Sequence, residues 1–198
     1  MDLEKILYIN ACVRDGSRTK RIADYLISKL DGEVEQVNLI DIDFPKTDQE
    51  FIVWRDSFKV KGVYDAEIFE LGKQFAAADT IVIAAPYYDF SFPATLKQYF
   101  ESINVLGITF CYNSAGRPEG LCKAKKLYYV TTAGGYIAFD EFGYGYVKAL
   151  AENFYEIPVV KQIKAEALDI VGADVEAIIE DAYREVDHMI QGERGLSC

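Results

Sequence analysis

Two periodicities alternate along the chain. The segment Lys5-Ile6-Leu7-Tyr8-Ile9-Asn10-Ala11 is a compact apolar run that predicts a first strand. From Thr19 to Leu30 the apolar residues Ile22, Leu26 and Leu30 recur at helical spacing, with Ser17 or Thr19 available to cap the start and Asp31-Gly32 marking the stop. Residues 34–39, carrying Val37 and Leu39, predict a short second strand, and Ile68, Leu71, Phe75 and Ala78 then share one helical face. Residues 79–85 form a near-continuous apolar run closed by Pro86, the pattern of a strand covered on both faces. Pro93 opens the next helix at its first turn, and Leu96, Phe100 and Ile103 make the buried stripe. A fourth strand over 126–132, a helix over roughly 141–154 and a fifth strand over 158–163 follow. A last helix sets Val175, Ile178, Ile179, Ala182, Val186, Met189 and Ile190 on one broad face.

Strands alternating with helices predict a βαβ series and a largely parallel sheet with helices on both faces, here as one domain over residues 1–198. Two stretches interrupt the alternation, 44–62 and 105–123. Within the first, Phe51, Trp54 and Phe58 are spaced three and four apart, so a helix there carries one aromatic stripe. That stripe packs on its own domain or covers a ligand pocket, its own or a second subunit's.

The 198 residues are 51% hydrophobic, enough for a continuous core. The net charge is −11, from 32 acids against 21 bases, which argues against nucleic acid and anionic membranes as partners. No apolar run approaches the ~20 residues that span a bilayer. The start, Met1-Asp2-Leu3-Glu4-Lys5, has no basic segment of the secretory kind. Cys12, Cys111, Cys122 and Cys198 form no CxxC and no metal-ligand spacing, so free thiols in a reducing cytoplasm are expected, with no metal. Charge is unevenly placed. Arg14, Arg18, Lys20 and Arg21 lie within eight residues, whereas residues 169–198 hold eight acids and two bases.

Ligands of open parallel sheets bind beyond the carboxyl ends of the strands, where the strand order reverses. For a five-stranded order 2-1-3-4-5 that point lies between the first and third strands. The loop after the first strand, Cys12-Val13-Arg14-Asp15-Gly16-Ser17-Arg18-Thr19, leads into a helix N-terminus with two hydroxyls and a cationic cluster. It reads as a phosphate cradle or as a solvated basic surface, and it is neither a Walker A loop nor GxGxxG. After the third strand, Pro86-Tyr87-Tyr88-Asp89-Phe90-Ser91-Phe92-Pro93 puts four aromatics into six residues of a surface loop, more than a core can absorb there. A planar ligand gives such rings a stacking role. After the fourth strand, Thr131-Thr132-Ala133-Gly134-Gly135-Tyr136 carries a glycine pair that permits close backbone approach to a ligand, or simply makes a tight turn.

Four blocks in order carry a resemblance: Ile9 to Arg14 with Ser17-Arg18-Thr19, Ala85 to Phe90, Gly107-Ile108-Thr109-Phe110-x-Tyr112, and Thr132 to Gly135. They resemble the FMN-dependent NADH-azoreductase and NAD(P)H:quinone oxidoreductase family over nearly the whole chain. The resemblance implies a flavodoxin-like three-layer sandwich with its five parallel strands in the order 2-1-3-4-5. It implies one FMN per chain rather than FAD. Cys12, Arg14, Ser17, Arg18 and Thr19 would surround the phosphate, Pro86, Tyr87, Tyr88, Asp89 and Phe90 with Thr132, Ala133, Gly134 and Gly135 would hold the ring, and Phe110 would line the substrate side. Three positions depart from the family pattern: Cys12 where Ser is frequent, Ala133 where some members are polar or basic, and Asp89 where many have Asn.

The implied activity is a ping-pong cycle in which NADH or NADPH reduces the flavin and a quinone, azo or nitro compound takes two electrons from it. Tyr136 is the candidate proton or hydrogen-bond donor to the product, and Phe51 and Trp54 are candidate walls of the substrate pocket. His188, the only histidine, sits near Asp187 on the last helix and reads as structural or surface. A homodimer is implied, with flavin sites near its interface. The competing readings are a non-enzymatic flavodoxin-type electron carrier and a flavin-responsive regulatory protein.

Overall fold

The computed structural model describes residues 3–195, so Cys198 lies outside the described residues. The sheet strands are β1 (Lys5–Asn10), β2 (Glu33–Asn38), β3 (Thr80–Ala84), β6 (Lys126–Thr132) and β7 (Val159–Ala165). They lie in the order β2-β1-β3-β6-β7, all pairings parallel. Two further strands, β4 (Phe110–Tyr112) and β5 (Pro118–Gly120), pair antiparallel in a separate hairpin within the 105–123 interruption. With that hairpin set aside, the sheet has the expected order 2-1-3-4-5.

Burial explains the pattern along the strands. The central strands β1, β3 and β6 are buried almost throughout, whereas edge strand β2, Glu-Val-Glu-Gln-Val-Asn, is mostly exposed. Because successive strand residues point to opposite faces, Leu7 and Ile9 of β1 join Ile81, Ile83, Leu127 and Tyr129 on one side. Ile6 and Tyr8 join Val82, Ala84, Tyr128 and Val130 on the other.

The first face is covered by α3 (Glu70–Ala77), α4 (Ala94–Ile103) and α5 (Tyr144–Asn153) through Phe75, Leu96, Tyr99, Phe100, Ile103, Val147 and Ala151. The second is covered by α1 (Arg18–Ile27) and α6 (Val175–Gly195) through Ile22, Ala23, Leu26, Ile179, Ala182, Val186 and Ile190. The expected helical start at Ile68 is a 3-10 turn, Glu67–Phe69, ahead of α3. Helix α1 ends at Ile27, short of Leu30, because the chain turns at Ser28, whose N–H bonds Asp24 and Leu26 carbonyls. Gly32 then lies so close to Glu4 that a Cβ would sit 2.4 Å from the Glu4 carbonyl oxygen, so the return into β2 needs glycine.

The 44–62 interruption contains α2 (Gln49–Val60), capped by Asp48, whose side chain accepts the Phe51 N–H at 3.0 Å. Its aromatic stripe is continuous: Trp54 lies 6.0 Å from Phe51 and edge-on to Phe58 at 5.2 Å, and Phe58 meets Phe69 at 6.2 Å. No residue of α2 is fully buried, and Trp54 is half exposed.

The end of α6 is fastened to the sheet by one carboxylate. Glu193 accepts Lys126 Nζ at 2.6 Å, Lys161 Nζ at 2.7 Å and the Tyr128 hydroxyl at 2.7 Å. Partial burial works to raise the Glu193 carboxyl, and these hydrogen bonds outweigh it, so it titrates below the usual glutamate range. Its stabilising effect is therefore complete above the ordinary glutamate range and lost as pH falls through the depressed folded-state value. Replacing Glu193 with Gln should cost about 1–3 kcal/mol at neutral pH, with the difference from wild type shrinking in acid. Denaturant titrations at several pH values check this; a constant difference down to pH 3 would contradict it.

Candidate functional site

The carboxyl ends of β1, β3, β6 and β7 share one edge, and their loops enclose a cleft of about 300 Å³. Behind it, the Asn10 side-chain oxygen accepts the Cys12 N–H at 3.1 Å, turning the chain out of β1. Gly16, at φ +68° with open space around it, lets the loop swing into α1. Ser17 caps the helix by accepting the Lys20 N–H at 3.3 Å, and the first turn of α1 carries no acidic residue. The first N–H groups of α1 have no intrahelical acceptor, so this terminus attracts an anion.

Thr19 is buried, and its hydroxyl lies 2.6 Å from that of Thr132 at the end of β6. One of the two protons lies between the oxygens, which leaves the other free to be donated to a ligand. Cys12 does not reach the cleft. Its thiol faces the Ala84 carbonyl oxygen at 3.8 Å, and burial pushes its pKa up, against the lowering effect of Ser17, so it is a protonated, packed thiol.

The basic run is less cationic than its sequence suggests. Lys20 pairs with Asp24 at 2.7 Å one turn along, and Arg21 forms a two-pronged pair with Glu176 of α6 at 2.9 and 2.5 Å. Arg18 donates to Asp169 at 2.7 Å and to the Leu168 carbonyl at 3.3 Å. Arg14 is the member of the run that has no ion pair among the described residues, and it lines the cleft with Val13, Asp15 and Arg18.

Across the cleft, the Tyr87 N–H bonds the Thr132 carbonyl at 2.9 Å, carrying the β3–β6 ladder past the end of β3 to Tyr87. Pro86, Tyr87 and Tyr88 form the wall. Tyr88 and Ser91 exchange backbone hydrogen bonds of 3.1 and 2.7 Å around Asp89 and Phe90, both left-handed at φ 49° and 66°. Such a pair at the tip of a turn is strained for non-glycine residues. Asp89 and Phe90 make this tip and do not line the single-chain cleft. Phe92, the fourth aromatic of the loop, packs instead on Phe100 and Tyr146 at 6.1 and 5.6 Å.

After β6, Ala133 is buried and Gly134 lies against Asp169, where a Cβ would come 2.4 Å from the carboxylate. The Asp169 N–H bonds the Gly134 carbonyl at 2.9 Å and the Ala167 N–H bonds that of Gly135 at 2.9 Å. Thr132, Ala133 and Gly134 line the cleft with Leu168 and Asp169. The last two residues lie outside every sequence-selected block, because their place is set by pairings such as Arg18 to Asp169, 151 residues apart.

Four further candidates, Tyr136, Phe110, Phe51 and Trp54, lie elsewhere. Tyr136 is 74% exposed beyond the glycine pair, outside the cleft lining. Phe110 is buried in the hairpin against Phe154 at 4.8 Å and is not part of the cleft. Phe51 and Trp54 line a separate apolar hollow of about 450 Å³ with Pro45, Phe58 and Ile68. His188 is exposed.

A helix N-terminus without its own acid, two hydroxyls, an unpaired Arg14, an open positive-φ glycine and a wall of tyrosines fit a phosphate monoester joined to a planar group. FMN is such a molecule. A family model described as having the flavodoxin-like fold matches residues 4–190. An FMN-dependent NADH:quinone oxidoreductase of Coprothermobacter proteolyticus is 34% identical, over 94% of this chain and 98% of that protein. A protein named FMN-dependent NADH:quinone oxidoreductase 2 in Clostridium acetobutylicum is 36% identical, over 92% and 96%. Among solved structures, an FMN-dependent NADH-azoreductase from Bacillus anthracis in complex with FMN superposes with a TM-score of 0.77 at 23% identity, over 96% of this chain and 98% of that one. Matched by the family model over most of its length and by these relatives above 30% identity, the chain belongs to the flavodoxin-like family that includes the FMN-dependent NADH:quinone oxidoreductases.

Proposed function

We propose that this chain is an FMN-dependent NAD(P)H oxidoreductase that reduces quinones, azo or nitro compounds. The observation that carries the reading is the meeting, in one cleft, of an anion-attracting helix start with the aromatic loop after β3. The names of the relatives support the same activity. When bound, FMN supplies the redox chemistry, taking two electrons from NAD(P)H and passing them to an organic acceptor. The N–H groups at the start of α1, with the Ser17 and Thr19 hydroxyls, hold the phosphate, and Arg14 and Arg18 supply the counter-charge. Pro86, Tyr87 and Tyr88 with Thr132, Ala133 and Gly134, which line the cleft, position the ring, and Asp89, Phe90 and Gly135 stand outside that lining. Tyr136, exposed beyond the glycine pair, is the proposed proton or hydrogen-bond donor to the reduced product. We place the protein in the cytoplasm; among the described residues Cys12, Cys111 and Cys122 are free thiols, and no helix is long and apolar enough to cross a membrane.

Purified protein loaded with FMN is expected to oxidise NADH or NADPH in steady state when a quinone is added. Loaded protein that shows no turnover with any quinone, azo or nitro acceptor would favour an electron carrier or a regulatory flavoprotein. Ser17→Ala with Thr19→Ala removes two hydrogen bonds to a charged group, each worth about 1.5–3 kcal/mol. FMN affinity should fall at least tenfold while the circular dichroism stays native. Unchanged affinity in the folded double variant would put the phosphate elsewhere.

The stripe on α2 supports a homodimer. Its rings and the hollow beside them form an apolar surface on a helix with no fully buried residue. A two-fold contact there would bury the surface and bring Phe51 and Trp54 to the wall of a partner's substrate pocket. Light scattering is expected to give a dimer at micromolar concentration; a monomer would contradict this. Trp54→Ala should raise the KM for bulky quinones by more than it weakens FMN, and wild-type kinetics in that variant would contradict the pocket role.

A further inference from the structure

The Arg18–Asp169 pair has a chemical effect on the cleft it stands in. Arg18 is the second cation lining the cleft, and its Nη1 already serves Asp169 at 2.7 Å and the Leu168 carbonyl at 3.3 Å. Asp169 is not a distant surface acid. Its own N–H is tied to the Gly134 carbonyl, its carboxylate covers Gly134, and it lines the same cleft. A guanidinium carries five N–H donors, so Arg18 retains donors for an incoming anion while paired. That anion must nonetheless share the cation with a carboxylate and approach a like charge.

Resting on the FMN reading above, we infer that Asp169 is the internal counter-ion of the phosphate site. It holds Arg18 in position and keeps the site's affinity for phosphate low, so that occupancy depends on the ring as well as the anion. A helix start with a free arginine and two hydroxyls would bind simple phosphate on its own. The carboxylate opposes that, and a ligand that also stacks on Tyr87 and Tyr88 overcomes it. Both partners are part exposed, 40% for Arg18 and 68% for Asp169, so the effect is subject to screening by salt.

The test compares FMN, riboflavin and inorganic phosphate binding to flavin-free full-length protein, by fluorescence quenching for the flavins and calorimetry for phosphate. Asp169→Asn preserves size and the backbone bond to Gly134, and Asp169→Ser provides a second variant. Both should tighten FMN and inorganic phosphate at least threefold at low salt, leave riboflavin unchanged, and lose most of the gain at 0.5 M salt. In an Arg18→Gln background the gain from Asp169→Asn should be smaller. An unchanged phosphate affinity, or a change that riboflavin shares equally, would overturn the inference. Wild-type protein that binds neither flavin would overturn the functional reading instead, and the phosphate titration would still decide the role of Asp169.

Discussion

The hydrogen bond between the Thr19 and Thr132 hydroxyls joins residues 113 positions apart and closes the floor of the cleft. Thr19 belongs to the first turn of α1, and Thr132 ends β6. Between them runs β3, whose ladder continues past its end through the Tyr87 N–H bond to the Thr132 carbonyl. Three loops are thus held to one another by a buried polar contact and a shared backbone ladder. Breaking the hydroxyl pair would leave a buried polar group unsatisfied, at a cost of about 1–3 kcal/mol. The geometry of the cleft depends on this junction more than on any charge around it.

The parallel sheet was readable from the chain because burial imposes simple patterns. Strands covered on both faces are nearly continuous apolar runs, as in Thr80–Ala84 after its first residue, and helices show one stripe, as with Ile22, Leu26 and the α6 face. The loops of the site were readable for a related reason, since a doubly wound sheet puts ligands at one predictable edge. What stayed hidden was set by long-range contact. The same four basic residues look like a single cationic patch in the sequence, yet Asp169 and Glu176 from the far end of the chain pair with Arg18 and Arg21, while Lys20 pairs locally with Asp24. Asp169 enters the cleft from the last βα loop with no local motif to announce it. The β4–β5 hairpin is short, three residues a strand, and leaves too weak an alternation to stand out in the sequence.

The rim of the cleft differs in character from its floor. Asp89 and Phe90 are held in left-handed conformations by the Tyr88–Ser91 turn, and Phe90 leans edge-on against Phe139 at 5.2 Å. The Phe139 N–H and carbonyl both reach the Tyr87 hydroxyl, and the Ser91 hydroxyl bonds the Phe142 carbonyl at 2.7 Å. These contacts tie the segment after the glycine pair to the loop after β3, so exposed rings gather at the mouth above a rigid base. Backbone strain of this kind persists where surrounding structure enforces it and is common at ligand sites.

A base of this kind suits one FMN per chain. Chromatography of the flavin released on denaturing the FMN- and FAD-exposed protein tests it most directly, with the amount per chain counted from the visible spectrum. One FMN per chain, taken up in preference to FAD, is the expected result; release of FAD, or no flavin uptake at all, would contradict the account.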